Sequence, residues 1–233
     1  MLSEILYPPD LMYHFFKGGE TIIDYKKEVY WNKFAHTFNE DQTYIVGIST
    51  QQGIIKRLSE EHDLGEVIEF GCGAGYFTKV IAKNATHITA TDFSNEMLAM
   101  ARAQLKDLQN VNFEKADCKK TTFPSGKFDT VFMANLIHVI ENPSKTLKEG
   151  HRILKDDGSL LLVDYTMHGM RGFEKMKSGI RYLRKWGKPP SYFRGNLSPN
   201  EFKLIVESAG FKVNKAQVIG NKINAIYLKG KKK

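Results

Sequence analysis

The sequence predicts an α/β fold: a mostly parallel seven-stranded sheet with an antiparallel last strand, helices on both faces, and an N-terminal helical cap. Three observations carry this. After residue 65, apolar β-branched runs alternate with stretches of helical periodicity, the order of a parallel sheet with crossover helices. The first strand breaks into three glycines, Gly71, Gly73 and Gly75. Only Ile219-Gly220-Asn221 separates the last two strands, which is room for a hairpin and not for a crossover, so that pair must be antiparallel.

The predicted strands are 66–71, 87–92, 111–116, 128–134, 158–165, 211–218 and 222–229, with helices at 75–84, 95–108, 143–155 and 199–209. Helix 95–108 places Met97, Leu98, Ala101, Leu105 and Leu108 at helical spacing behind Ser94, an N-cap. Pro143 opens the next helix, where its missing N–H costs nothing, and Asp156-Asp157-Gly158 is expected to close it. Ser198-Pro199 starts helix 199–209 and Gly210 stops it. Residues 1–60 differ in texture: helical and dense in aromatics, from Tyr7, Tyr13, Phe15, Phe16 and Tyr25 to Tyr30, Trp31, Phe34, Phe38 and Tyr44. They are read as a cap, with 61–233 as the main domain.

At 233 residues the chain has room for one sizeable core plus a cap. No apolar run approaches the roughly 20 residues that span a bilayer, and the N-terminus lacks the pattern of a secretory signal, so a cytoplasmic location is expected. Cys72 and Cys118 have no metal-ligand spacing and read as reduced packing residues. The net charge of +8 gathers at the C-terminus and around 171–188, and the Lys-rich tail is expected to be solvated.

Glycines at 71, 73 and 75 let the backbone turn sharply and bring its amides close to a ligand. A dinucleotide loop would need its third glycine at position 76, which is Tyr76. Glu69-x-Gly71-x-Gly73-x-Gly75 instead resembles the first motif of class I methyltransferases that use S-adenosylmethionine. The resemblance implies a Rossmann-like domain with S-adenosylmethionine as cofactor and S-adenosylhomocysteine as product. Gly71, Cys72, Gly73 and Gly75 would then approach the ribose and amino-acid tail, with Glu69 helping to hold the ammonium.

Asp92 ends the second strand about 20 residues after the loop, where an acid accepts from both ribose hydroxyls, with Phe93 beside it. The family pattern places at Asp117 the acid that bonds the adenine amino group, with the Cys118 N–H facing the ring. Leu136, His138 and Val139 match a Leu-x-His-Val segment of ubiquinone-type O-methyltransferases, which sets Asn135 toward the methionyl part. Some relatives bind a metal through an acid before this histidine; Ile137 stands there, so no metal is expected.

His138 is the leading candidate for a general base and His168 the second, although a histidine at a helix start can equally be bonded to backbone. Asp164, Tyr165 and His168 follow the fifth strand toward the cleft mouth. Residues 167–192 read as an acceptor-side insertion, with an apolar stripe of Phe173, Met176, Ile180, Leu183 and Trp186 among seven basic residues. That stripe can pack on the sheet with its lysines solvated, or form a basic lid for an anionic or membrane-associated acceptor. A small-molecule acceptor is expected. An RNA methyltransferase is the alternative, though the sequence lacks an Asn-Pro-Pro-Tyr motif; a non-catalytic cofactor-binding scaffold is the third reading.

Overall fold

Val67, Ile68 and Phe70 form a run buried on both faces, the signature of a central parallel strand. In the computed structural model, which describes residues 28–220 and 223–233, this strand sits within a seven-stranded sheet of order β3-β2-β1-β4-β5-β7-β6. The strands are β1 (Glu66–Phe70), β2 (His87–Asp92), β3 (Val111–Lys115), β4 (Phe128–Ala134), β5 (Leu154–Thr166), β6 (Phe211–Ile219) and β7 (Asn224–Lys232). The helices are α1 (Phe38–Val46), α2 (Ile48–Ser59), α3 (Thr78–Ile81), α4 (Asn95–Gln104), α5 (Pro143–Ile153), α6 (Gly172–Trp186) and α7 (Pro199–Glu207). β7 runs antiparallel to both neighbours, as the short connection requires.

One face of the sheet buries Ile54, Leu58, Val67, Ile81, Ile88 and Leu98 against α2, α3 and α4. The other buries Ile68, Phe70, Phe128, Leu147, Phe202 and Val206 against α5 and α7. Strand order reverses between β1 and β4, and at such a switch point the carboxyl ends of the strands diverge into a ligand crevice.

Four expectations change. The helix expected over 75–84 is α-helical only at Thr78–Ile81: the Gly75 N–H closes a turn on the Cys72 carbonyl, and the Asn84 N–H closes another on Ile81. Asp156-Asp157-Gly158 does not close α5 but lies within β5, which starts at Leu154 and shifts register against β4. The expected cap boundary near residue 60 falls inside the main core, because α2 buries Ile54 and Leu58 with β1 and β2. The C-terminal lysines belong to β7: Lys229 pairs with Glu61 at 2.6 Å, and Lys232 donates to the Leu154 carbonyl at 2.8 Å. The part of the aromatic cap before residue 28 lies outside the described residues.

Candidate active site

The loop after β1 turns through left-handed backbone at Gly71 (φ 70°), Gly73 (φ 53°) and Gly75 (φ 82°). Two of these glycines border a cavity of about 170 Å³ together with Glu69, Cys72, Asp92, Phe93, Asp117, Cys118 and Asn135. A side chain on Gly73 would come within 3.3 Å of Phe38, so the loop passes close beneath α1. Gly75 is not in the lining. It packs outward, where a Cβ would meet Leu105 Cδ1 at 2.7 Å. Gly75→Ala is therefore expected to destabilise the fold by about 1–3 kcal/mol, through backbone strain and overpacking, with cofactor affinity little changed. Urea unfolding with a parallel binding titration checks this.

The acids have distinct settings. Asp92 accepts the Gly73 N–H on one oxygen and the Ser94 N–H on the other, each at 2.9 Å, so it fixes the glycine loop against the end of β2. A carboxylate offers about four lone-pair sites, which leaves two for a diol. Asp117 accepts the Lys119 N–H at 2.9 Å and pairs with the Lys119 ammonium at 3.2 Å. Glu69 is fully buried and accepts from Thr78 Oγ1 at 2.7 Å, and its burial pushes the carboxyl up to about 8. The fold thus favours protonated Glu69: the stabilisation is complete below about 4.5 and is lost as pH rises through about 8. Glu69→Gln is expected to remove that dependence, so the stability gap between variant and wild type should widen across the window in urea titrations. Burial also pushes the thiols of Cys72 and Cys118 upward, the latter to about 12, so neither is a reactive thiolate.

Residues 28–38 cross above this cavity. Lys115 Nζ donates to Glu28 at 3.0 Å, Ser94 Oγ donates to Asn32 Oδ1 at 2.7 Å, and Trp31 and Phe38 enter the lining. Phe38 stacks on Trp186 at 5.5 Å and 10°, so the lid is tied to α6 by aromatic packing.

Residues 68–162 match the family described as methyltransferase domain, the segment that carries the glycine loop, Glu69, Asp92 and Asp117. This segment is similar to a methyltransferase domain. Relatives of this domain include the uncharacterised methyltransferase YcgJ of Bacillus subtilis, 26% identical over 59% of this chain and 54% of that protein. A malonyl-[acyl-carrier protein] O-methyltransferase of Paenibacillus is 27% identical over 63% of this chain and 55% of its own length. The chain thus spans about half the length of each of these curated relatives. Among solved structures, an S-adenosylmethionine-dependent methyltransferase of Aquifex aeolicus shares the fold with a TM-score of 0.62, at 22% identity over 85% of this chain and 97% of that one.

A second cavity of about 330 Å³ adjoins the first and shares Trp31, Phe38, Gln42, Asn135 and Val139 with it. It is enclosed by Tyr165, Tyr182, Trp186 and Phe193, and no lysine or arginine lines it among the described residues. Asn135 sits at the seam in left-handed backbone (φ 55°) with its side chain beside the Tyr165 hydroxyl, the Tyr182 hydroxyl lies beside Tyr30, and the buried Trp186 Nε1 has no hydrogen-bond partner. A polar atom left unpaired in an apolar chamber is the kind of group a ligand satisfies.

His138 lines this larger cavity. Its ring Nδ1–H donates to Asp164 Oδ1, and its backbone N–H donates to Asp164 Oδ2 at 3.1 Å. Asp164 has no exposed surface, so the carboxylate fixes both the orientation and the tautomer of the imidazole, leaving Nε2 as its acceptor. The Phe193 ring holds the other side edge-on at 5.3 Å. His168 is exposed and lines neither cavity, so the structure does not bring it to the site. Sequence reasoning placed Asp164 at the cleft mouth without its partner. It marked 167–192 as an acceptor-side insertion but did not include Phe193 or pair Tyr182 and Trp186 with residues 30–38, because nothing in local spacing links them.

Proposed function

We propose that this protein transfers a methyl group from S-adenosylmethionine to a small, largely apolar molecule enclosed in the larger cavity. The observation that carries the reading is the seam: Asn135 and Val139 border both cavities, and His138 stands beside them. The smaller cavity fits the cofactor in chemistry. Asp92 would offer its remaining lone pairs to a ribose, Glu69 a buried carboxyl to an ammonium, and the Asn135 side chain at the seam would stand toward the methionyl part, while Gly73 holds left-handed backbone close under Phe38. When bound, S-adenosylmethionine supplies a sulfonium methyl already activated toward displacement.

The chain's own residues then have two tasks. The aromatic lid and α6 hold the acceptor in line and exclude water, a positioning contribution of about 7–11 kcal/mol. His138 takes the acceptor's proton on Nε2 as the new bond forms, and the Asp164 carboxylate stabilises the resulting imidazolium. With no lysine or arginine lining the chamber among the described residues, neutral acceptors are favoured over carboxylates and phosphates, which weighs against a nucleic-acid acceptor.

The chain's two tryptophans, Trp31 and Trp186, both line the chamber, so intrinsic fluorescence reports its occupancy. A panel of neutral and anionic aromatic hydroxyl compounds, incubated with methyl-labelled cofactor, should show label transfer and fluorescence quenching for neutral members. Transfer confined to RNA would overturn the small-molecule reading.

A further inference from the structure

Helix α6 walls the chamber through Ser178, Gly179, Tyr182 and Trp186, with Leu183 at the edge of that side. Its outer side leaves Phe173, Met176, Ile180 and Leu183 exposed at 67%, 56%, 43% and 54%, half of the eight large exposed hydrophobics among the described residues. At 100° per residue these four fall in one sector about 80° wide. They therefore do not pack on the sheet. The neighbouring sector carries Lys177, Arg181 and Arg184, and residues 171–188 hold seven lysines and arginines against the single acid Glu174. Lys185 is already engaged by Asp41 at 2.6 Å, and Arg181 lies 5.1 Å over the half-exposed Tyr44 ring, which extends the patch onto α1.

We propose that this face of α6 seats on an anionic lipid bilayer, with the apolar stripe at the headgroup–acyl boundary and the basic sector against lipid phosphates. The pairing of a narrow apolar stripe with a one-sign flank is what an interfacial helix requires. A second copy of the chain docked on the same face would set two strongly basic segments against each other. The contact is peripheral, since no helix among the described residues is long and apolar enough to cross a membrane.

Leu183 belongs both to the exposed stripe and to the chamber wall, and a side chain on the adjacent Gly179 would meet nothing within 4 Å. The chamber wall is thus thinnest beside the lipid-facing stripe. If the methyltransfer reading stands, on which this last step rests, the acceptor is a membrane-dissolved molecule that enters between Gly179 and Leu183.

The test is co-sedimentation of the full chain with phosphatidylcholine vesicles, with and without phosphatidylglycerol. The wild type should bind only the anionic vesicles and release at high salt. Phe173→Ser with Ile180→Ser, and separately Lys177→Glu with Arg181→Glu, should each weaken binding about tenfold or more while S-adenosylhomocysteine affinity and thermal midpoint stay unchanged. Wild type that ignores anionic vesicles, or variants that bind as wild type does, would overturn the proposal. A change of oligomeric state in the serine variant without vesicle binding by the wild type would also overturn it and assign the face to a second copy. Vesicle binding without S-adenosylhomocysteine binding would leave the membrane face standing and sink the methyltransfer reading.

Discussion

Asp164→Asn is expected to lower turnover by about two to four orders of magnitude while cofactor affinity stays within about twofold. The carboxylate accepts both the ring and the backbone N–H of His138. An amide of the same shape can present its NH2 to the ring, which reverses the preferred tautomer and removes the charge that stabilises the imidazolium. His138→Ala should match this loss, since the two residues act as a unit, and the double variant should be no worse than either single one. One readout separates positioning from simple support of the fold. Imidazole in solution should partly restore His138→Ala but not Asp164→Asn. Unaltered turnover in both variants would reduce the pair to a structural contact.

Asp92→Ala should weaken S-adenosylhomocysteine binding by about two to four orders of magnitude. Hydrogen bonds to a charged group contribute about 1.5–3 kcal/mol each, and the variant loses two to the ribose. It also frees the Gly73 and Ser94 N–H groups, which are held at 2.9 Å in the wild type, so the glycine loop loses its tether to β2 as well. The loop lies at the crevice rim and the buried strands keep their packing, so unfolding should stay cooperative with a modest drop in midpoint. An unchanged affinity would contradict the ribose assignment.

The smaller cavity was legible in the sequence because the residues that line it are local to strand ends. Glu69, Gly71, Gly73, Asp92 and Asp117 each follow or end an apolar strand, and strands that end at one edge of a parallel sheet bring such residues to one crevice. Gly75 shows the limit of motif reading: its place in the pattern is right, but its neighbour is Leu105 and not the cavity. The larger cavity was legible only as two separate segments, 1–60 and 167–192, and not as the pairings between them. Tyr30 donates to the Trp186 carbonyl across 156 residues, and the Phe38–Trp186 stack that closes the chamber is equally long-range. The His138–Asp164 pair joins two loop and strand positions 26 residues apart, with no periodicity to announce it. The lysines of the tail misled for a related reason: charge marks a solvated end only if the strand is not pulled into the sheet, and β7 is held between β5 and β6.

The central claim is that the 71–75 loop and its acids form a cofactor site on this chain. Calorimetric titration of the wild-type protein with S-adenosylhomocysteine tests it most directly. The account predicts saturable binding of one molecule per chain, with a proton released near neutral pH if the ammonium lowers the raised pKa of Glu69. The released proton would show as a heat that varies with the ionisation enthalpy of the buffer. No saturable heat in any buffer, with the protein folded, would contradict the account.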